Sequence, residues 1–412
     1  MSLIVQKFGG TSLADLDRIR HAARRIIETR KAGHEVVVVV SAMGGETDRL
    51  VQLAHEISPD PDPREYDVLV STGEQKTIAL VAMAVQALGV PARSFTGAQV
   101  RVRTDTAHTR ARIQTIDTGP VRDELARGTI VVIAGFQGMD RDGNITTLGR
   151  GGSDTSAVAV AAAIEADVCE IYTDVEGVFT SDPSLVPTAR KLQRVAYDEM
   201  LEMASLGAKV LQIRAVKFAK QYGIPLHVRS AFSDQEGTWV VTEDDVMEKL
   251  VVSGVTYNRD EAKVTIFGLP DTPGVAARIF AEISESGVVV DVIVQNVSIR
   301  GHSDLTFTVP RGDLARVLPL MQRLGQELGA EGVSSDDSIV KISVVGLGMR
   351  DHAGVASKMF RVLSDEGINI EMINTSEIKI SVVIEEKYTE LACRALHEAF
   401  ELGNGAGIQE GL

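Results

Sequence analysis

The segment Thr147-Leu148-Gly149-Arg150-Gly151-Gly152-Ser153-Asp154 sets three glycines around one arginine and ends on a Ser-Asp pair that opens an alanine-rich helix pattern. Glycines let the backbone approach a charged ligand. A helix start offers free N–H groups and a partial positive charge, and an arginine there grips a carboxylate or phosphate through two parallel hydrogen bonds. This composition predicts an anion held beside a group that organises charge. A tight turn that merely contains arginine is the plainer alternative. A second segment, Lys7-Phe8-Gly9-Gly10-Thr11-Ser12, closes the strand pattern Leu3–Phe8 and precedes a helix pattern near Asp15. Its lysine comes before the glycines, so it is not a Walker A loop. A lysine so placed can still reach over a polyphosphate while the turn cradles it.

Elements that would position these loops are readable around them. Val36–Val40 is an unbroken β-branched run, as in a strand covered on both faces, and Thr129–Phe136 and Glu170–Thr173 look similar. Helix patterns run over Asp15–Lys31, Tyr66–Leu88 and Asp154–Ala166. Strand and helix therefore alternate to about Ser230, which predicts an α/β domain with a largely parallel sheet flanked by helices. Ligands bind such sheets at the carboxyl ends of the strands. Lys7, Ser41, Gly135 and Thr173 all stand near such ends.

The chain has 412 residues, 44% of them hydrophobic, enough for more than one core. A formal net charge of −15 argues against a nucleic-acid or anionic-membrane partner. It also means that an anionic substrate is drawn in by local cations. Cys169 and Cys393 form no metal or redox motif and read as buried thiols. With no signal-peptide pattern and no apolar run near twenty residues, the expected location is the cytoplasm.

The polar stretch Ser233–Glu248 predicts a domain boundary, and beyond it the chain repeats itself. Val264–Leu269 resembles Ile342–Leu347, and each is followed by Gly-Val, at Gly274-Val275 and Gly354-Val355. Helix patterns at Ala276–Ser286 and Ala356–Glu366 come next, then strand patterns at Gly287–Val294 and Gly367–Ile373. Two copies of roughly eighty residues are too few for a solenoid and fit paired ferredoxin-like βαββαβ domains.

Lys7–Ser12 and Thr147–Asp154 together resemble the signature motifs of aspartate kinases, in the amino-acid kinase superfamily. The resemblance also takes in Val40–Gly44, Ser71-Thr72-Gly73-Glu74 and Tyr172–Val178, and it extends over nearly the whole chain. It implies a catalytic domain over 1–245 and two ACT domains, 246–335 and 336–412, with the strand pattern Leu250–Thr256 joining the second. It further implies transfer of phosphate from ATP, with Mg²⁺, to the side-chain carboxylate of L-aspartate. Lys7 would neutralise the transferring group and Asp154 would orient lysines, although Asp154 also reads as a plain helix cap. Phe8, Gly9, Gly10, Thr11, Ser12, Thr173, Asp174, Phe179, Thr180, Ser181, Asp182 and Lys209 match nucleotide positions. Ser184 stands where the family often has arginine. Arg150 would take the α-carboxylate and Glu74 the α-ammonium, with Ser41, Thr47, Gly151, Gly152 and Ser153 nearby. Asp271, Gly274, Val275, Ala276 and Gln295, with Asn374, Thr375 and Ser376 of the second copy, match the region where related enzymes bind threonine, lysine being the usual co-effector. The resemblance also implies assembly through the ACT domains, either as a homo-oligomer or as α₂β₂ with a regulatory chain started internally, for which Met247 is a candidate.

Overall fold

Leu3–Phe8 and Glu35–Val40 are buried almost end to end, as strands covered on both faces must be. They lie side by side at the middle of an eight-stranded sheet in the computed structural model, which describes residues 1–205, 210–245, 251–296 and 301–403. The strand order is Arg194–Ala196, Thr238–Val241, Leu226–Ser230, Val168–Thr173, Leu3–Phe8, Glu35–Val40, Ile130–Ala134, Ala92–Phe95. The last six are mutually parallel, whereas Thr238–Val241 runs antiparallel to Leu226–Ser230. Thr238–Val241 falls inside the stretch whose polarity suggested a boundary. Its four residues Thr-Trp-Val-Val are apolar enough to pair between Leu226–Ser230 and the edge strand Arg194–Ala196.

The chain forms two compact units. The first holds Met1–Val178, Lys191–Ser205 and the described part of 209–248, and the second holds Phe179–Arg190 and the described residues from 251 onward. In the first unit, side chains alternate across the sheet. Phe8, Val36, Val38, Val40 and Val132 enter one core layer with Ile19, Ala23 and Ile26 of the helix Leu16–Lys31 and Ile78, Val81 and Val85 of the helix Pro63–Ala87. Lys7 therefore faces the other way, toward the helix Gly152–Ile164, which packs on Leu3–Phe8 and Val168–Thr173.

By length and composition Pro63–Ala87 could cross a membrane, although charged residues interrupt its apolar run. Here it is a core helix. It packs on Leu16–Lys31 and on the sheet, and it carries Asp67 and Glu74 on its buried face.

The second unit contains two four-stranded antiparallel sheets. One has the order Ile293–Gln295, His302–Val309, Ala262–Pro270, Gly332–Asp336. The other has Met372–Thr375, Lys379–Glu385, Ile339–Val345, Gly254–Asn258. The first is a βαββαβ arrangement with Val275–Glu285 and Leu314–Leu328 packed in its core, and the second has the same set of elements in the chain order ββαββα, with Val355–Asp365 and Thr389–Ala399 in its core. Gly254–Asn258 supplies the fourth strand of the second sheet, so the first ferredoxin-like unit is inserted in the loop of the second. The strand expected over Gly287–Val294 is confined to Ile293–Gln295, and that over Gly367–Ile373 shifts to Met372–Thr375. In both cases a left-handed glycine, φ 76° at Gly287 and 68° at Gly367, ends the helix and leaves an irregular lead-in.

Candidate active site

Lys7 ends its strand at the point where neighbours depart in opposite directions, Glu35–Val40 on one side and Val168–Thr173 on the other. Such a switch point opens a crevice at the carboxyl edge of a parallel sheet. A cleft of about 460 Å³ lies there, lined by Lys7, Gly9, Gly10 and Thr11, by Ser41 to Gly45 with Thr47 and Asp48, and by Asp154, Thr173, Asp174 and Val210. Lys7 Nζ meets Asp154 Oδ1 at 2.6 Å, with the two side chains 11% and 14% exposed. This ion pair joins the end of the first strand to the helix start that follows Arg150. The reading of Asp154 as only a helix cap gives way to that contact, since Gly151, in the left-handed region at φ 70°, is the capping residue. A Cβ on Gly151 would also collide with the Gln212 side chain at 1.8 Å.

Glu74, on the helix Pro63–Ala87, meets the cleft lining at Ala42 from behind. Its Oε1 accepts the Ala42 N–H at 2.9 Å. The approach depends on Gly73, where a Cβ would come within 2.8 Å of the Ala42 side chain. Glu74 is 3% exposed, and its Oε2 is buried with no hydrogen-bond partner among the described residues. Burial raises its pKa from the usual 4.5 to about 7, against the opposing effect of the Ala42 amide. A buried carboxylate with one free oxygen suits a cationic partner that arrives with a ligand.

The glycine turn itself is held from several directions. Gln212 Nε2 donates to the Arg150 carbonyl at 3.2 Å, and Arg214 donates to the Leu148 and Ala111 carbonyls at 2.6 and 3.1 Å. Arg150 is exposed, Ser153 is buried, and a Cβ on Gly152 would meet Leu148 and Phe136 at 2.9 Å. Phe8 stacks on Tyr172 with ring centroids 4.7 Å apart, and Ser12 is buried behind the turn.

Other expected positions belong to the second unit or fall outside the described residues. Phe179, Thr180, Ser181 and Asp182 belong to the second unit and are not among the residues lining the Lys7 cleft. There Thr180 Oγ1 is bonded to His397 Nε2 at 2.9 Å, and Asp182 accepts from Tyr257 at 2.9 Å and from Ser184 Oγ at 2.7 Å. Thr180 and Asp182, which match nucleotide positions by resemblance, are thus engaged in tertiary bonds, whereas Ser181 Oγ is buried with no hydrogen-bond partner among the described residues. Lys209 and Met247 lie outside the described residues. In the second unit Asp271 is exposed, Gly274 at φ 100° starts the helix Val275–Glu285 ahead of Ala276, and Gln295 donates to Ser303 at 3.3 Å. Asn374 and Thr375 form part of an edge strand, and Ser376 N–H donates to the Lys379 carbonyl at 2.8 Å.

Residues 2–230 match the amino acid kinase family, and residues 263–329 and 342–400 each match the ACT domain. The aspartokinase of Pseudomonas aeruginosa is 58% identical over 404 residues, which cover 98% of each chain. Among solved structures, E. coli aspartokinase III in complex with aspartate and ADP (R-state) superimposes with a TM-score of 0.81 at 26% identity, covering 97% of this chain and 100% of that one. The same enzyme in complex with lysine and aspartate (T-state) gives 0.77 at 26% identity, over 96% and 99%. Sequence likeness over the full length, the parallel sheet with its switch-point cleft and the paired ferredoxin-like domains agree, and the chain belongs to the aspartate kinase family of amino-acid kinases.

Proposed function

We propose that this chain moves the γ-phosphoryl group of ATP to the side-chain carboxylate of L-aspartate, giving 4-phospho-L-aspartate and ADP, the first step towards lysine, threonine and methionine. The observation that carries this reading is a nearly buried Lys7–Asp154 pair beside a glycine turn, with the half-satisfied Glu74 carboxylate bonded to Ala42 of the same cleft's lining. The acceptor carboxylate is ionised at neutral pH, so no general base is needed. The chemistry needs alignment of two anions and cancellation of their repulsion. Lys7 Nζ neutralises the transferring group, and Asp154 holds that ammonium in place. Backbone N–H groups of Gly10 and Thr11 cradle phosphates, those of Gly9 and Ser12 being donated to the Tyr172 and Gly9 carbonyls, while Thr173 and Asp174 line the nucleotide side. Lys209 is a second phosphate-binding cation by resemblance.

The α-ammonium of aspartate completes Glu74 Oε2, and Arg150 binds the α-carboxylate. Ser41, Thr47 and the Gly151–Ser153 backbone border the acceptor. Mg²⁺ carried on the polyphosphate adds charge neutralisation. Among the described residues no group of three or more His, Cys, Asp or Glu side chains is placed to hold a metal, so phosphate oxygens and water are its main ligands.

Regulation by threonine, lysine or both follows from the ACT pair. Helix starts behind Gly274 and Gly354 offer N–H groups to an effector carboxylate. Edge strands carrying exposed Ile293 and Ile373 favour assembly through these domains, as a homo-oligomer or with a separately started regulatory chain. Two free, buried cysteines suit a reducing cytoplasm.

A hydroxamate assay with ATP, Mg²⁺ and a panel of acids tests the substrate. Aspartate is expected to yield product, whereas N-acetylglutamate and glutamate are not. Product from N-acetylglutamate without product from aspartate would overturn the assignment.

A further inference from the structure

We propose that Asp67 is a positioning residue: it locks the Arg150 turn to the helix that carries Glu74, and thereby sets the spacing at which an amino-acid acceptor is recognised. The proposal rests on the reading that Glu74 and Arg150 hold the acceptor's ammonium and α-carboxylate.

Asp67 is 0% exposed, in the second turn of the helix Pro63–Ala87. Its oxygens are spent on the end of the strand Ile145–Thr147 and on the loop at His108 and Thr109. Oδ1 accepts from Thr147 Oγ1 at 2.5 Å and Thr109 N–H at 3.1 Å. Oδ2 accepts from Thr147 N–H at 3.0 Å, Thr109 N–H at 3.0 Å and His108 Nδ1 at 2.9 Å. Thr147 is the first residue of the glycine turn. Thr109 presses on the same turn from outside, since a Cβ on Gly149 would come within 2.9 Å of the Thr109 carbonyl.

Asp67 and Glu74 are seven residues apart, two turns along one buried helical face and roughly 10 Å by helical rise. A single rigid element therefore carries the group that reads the ammonium and the group that anchors the turn reading the carboxylate. Arg214 and Gln212 hold the far side of that turn through the Leu148 and Arg150 carbonyls.

Burying a carboxylate costs free energy unless donors satisfy it. Here the donors are Thr147, which ends the strand Ile145–Thr147 just before the glycines, and His108 and Thr109 of the neighbouring loop, so the interaction acts on the placement of the turn that Thr147 leads into. An amide replaces it poorly, even though the Thr147 hydroxyl can turn to accept from an NH₂ group at the Oδ1 position. Either orientation of asparagine points an NH₂ group at a loop N–H, because both oxygens already accept from donors.

The test is steady-state kinetics on the full chain carrying Asp67→Asn, Thr147→Val or Thr147→Ser, with Arg150→Ala as reference. Asp67→Asn should raise KM for aspartate at least tenfold, with kcat and KM for ATP changed less than threefold. Thr147→Val should move aspartate KM severalfold in the same direction, and Thr147→Ser, which keeps the hydroxyl, should stay within twofold of the parent. If Asp67→Asn does not fold, the Thr147 pair decides. A fall in kcat with both KM values unchanged, the signature of a partly inactive sample, overturns the proposal. So does an unchanged aspartate KM in the Asp67 and Thr147→Val variants while Arg150→Ala raises it. If Arg150→Ala leaves that KM unchanged, the underlying acceptor-site reading fails and the proposal falls with it.

Discussion

Glu74 Oε1 takes the Ala42 amide at 2.9 Å, while the other oxygen of the same carboxylate is buried without a donor among the described residues. This asymmetry makes Glu74 both a recognition group and a source of instability. With its pKa raised from 4.5 to about 7 by burial, the folded protein holds a proton that the unfolded chain releases between those values. Stability therefore falls as pH rises from 4.5 to 7, and the full cost, at most about 3 kcal/mol, is present above 7. Glu74→Gln should raise Tm at pH 8 and leave it unchanged near pH 4, as scanning calorimetry can check. The same variant should raise aspartate KM more than tenfold. In the parent enzyme, aspartate KM should rise by up to about tenfold per unit as pH falls below 7, because ammonium binding requires the ionised carboxylate.

Replacing Lys7 removes the cation nearest the transferring group. Lys7→Ala is expected to lower kcat by about 10³-fold or more, the scale of phosphoryl-transfer cations, with an unchanged circular dichroism spectrum. A near-normal rate in single-turnover measurements would exclude Lys7 from the chemistry.

Gly73→Ala puts a methyl group 2.8 Å from the Ala42 side chain. Helix and loop must separate, which costs about 1–3 kcal/mol of stability and draws the Ala42 amide away from Glu74. Denaturant titration should show the loss, and aspartate KM should rise while ATP KM stays close to that of the parent.

Lys341 lies in the second unit, 3% exposed, bonded to Glu261 at 2.5 Å and to Asp291. Its two carboxylates hold its ammonium in the charged form against burial. Lys341→Met would leave Glu261 buried without its cation and should cost about 3–5 kcal/mol. Urea unfolding is the measurement, and a loss below 1 kcal/mol would show the cluster to be dispensable.

If the first ACT domain binds threonine at the Gly274 helix start, Gln295→Ala should weaken inhibition at least fivefold and leave the uninhibited rate intact. Assays with threonine and lysine, alone and together, separate single from concerted control. An inhibition curve that matches the parent's would remove Gln295 from the pocket.

Local chemistry made much of the site readable. Lys7 stands at a strand end before two glycines, and Asp154 stands where an apolar helix begins, so both could be named without coordinates. Glu74 was legible through its Ser-Thr-Gly-Glu motif, but its half-satisfied carboxylate was not, because burial of one oxygen depends on where the Ala42 loop comes to rest. Asp67 gave no signal at all. An acid near the start of a helix reads as a dipole partner or a solvated charge, and only the folding of Thr109 and Thr147 onto it reveals its role. Thr180 and Asp182 match nucleotide positions only by resemblance, and their bonds to His397 and Tyr257 could not be read from sequence because those partners are remote in the chain.

From the amino-acid order alone came the alternation of strand and helix, the duplicated C-terminal unit, the two glycine turns and the charges placed to handle a phosphate and a zwitterion. These follow from side-chain periodicity and backbone freedom, which act over a few residues. Tertiary structure decided which strand completes which sheet, so that Gly254–Asn258 pairs with Ile339–Val345 across the whole inserted domain. It also decided which carboxylates are buried, and therefore where Glu74 titrates and what Asp67 holds. Pairing and desolvation depend on neighbours brought together from remote parts of the chain, and no local pattern encodes them.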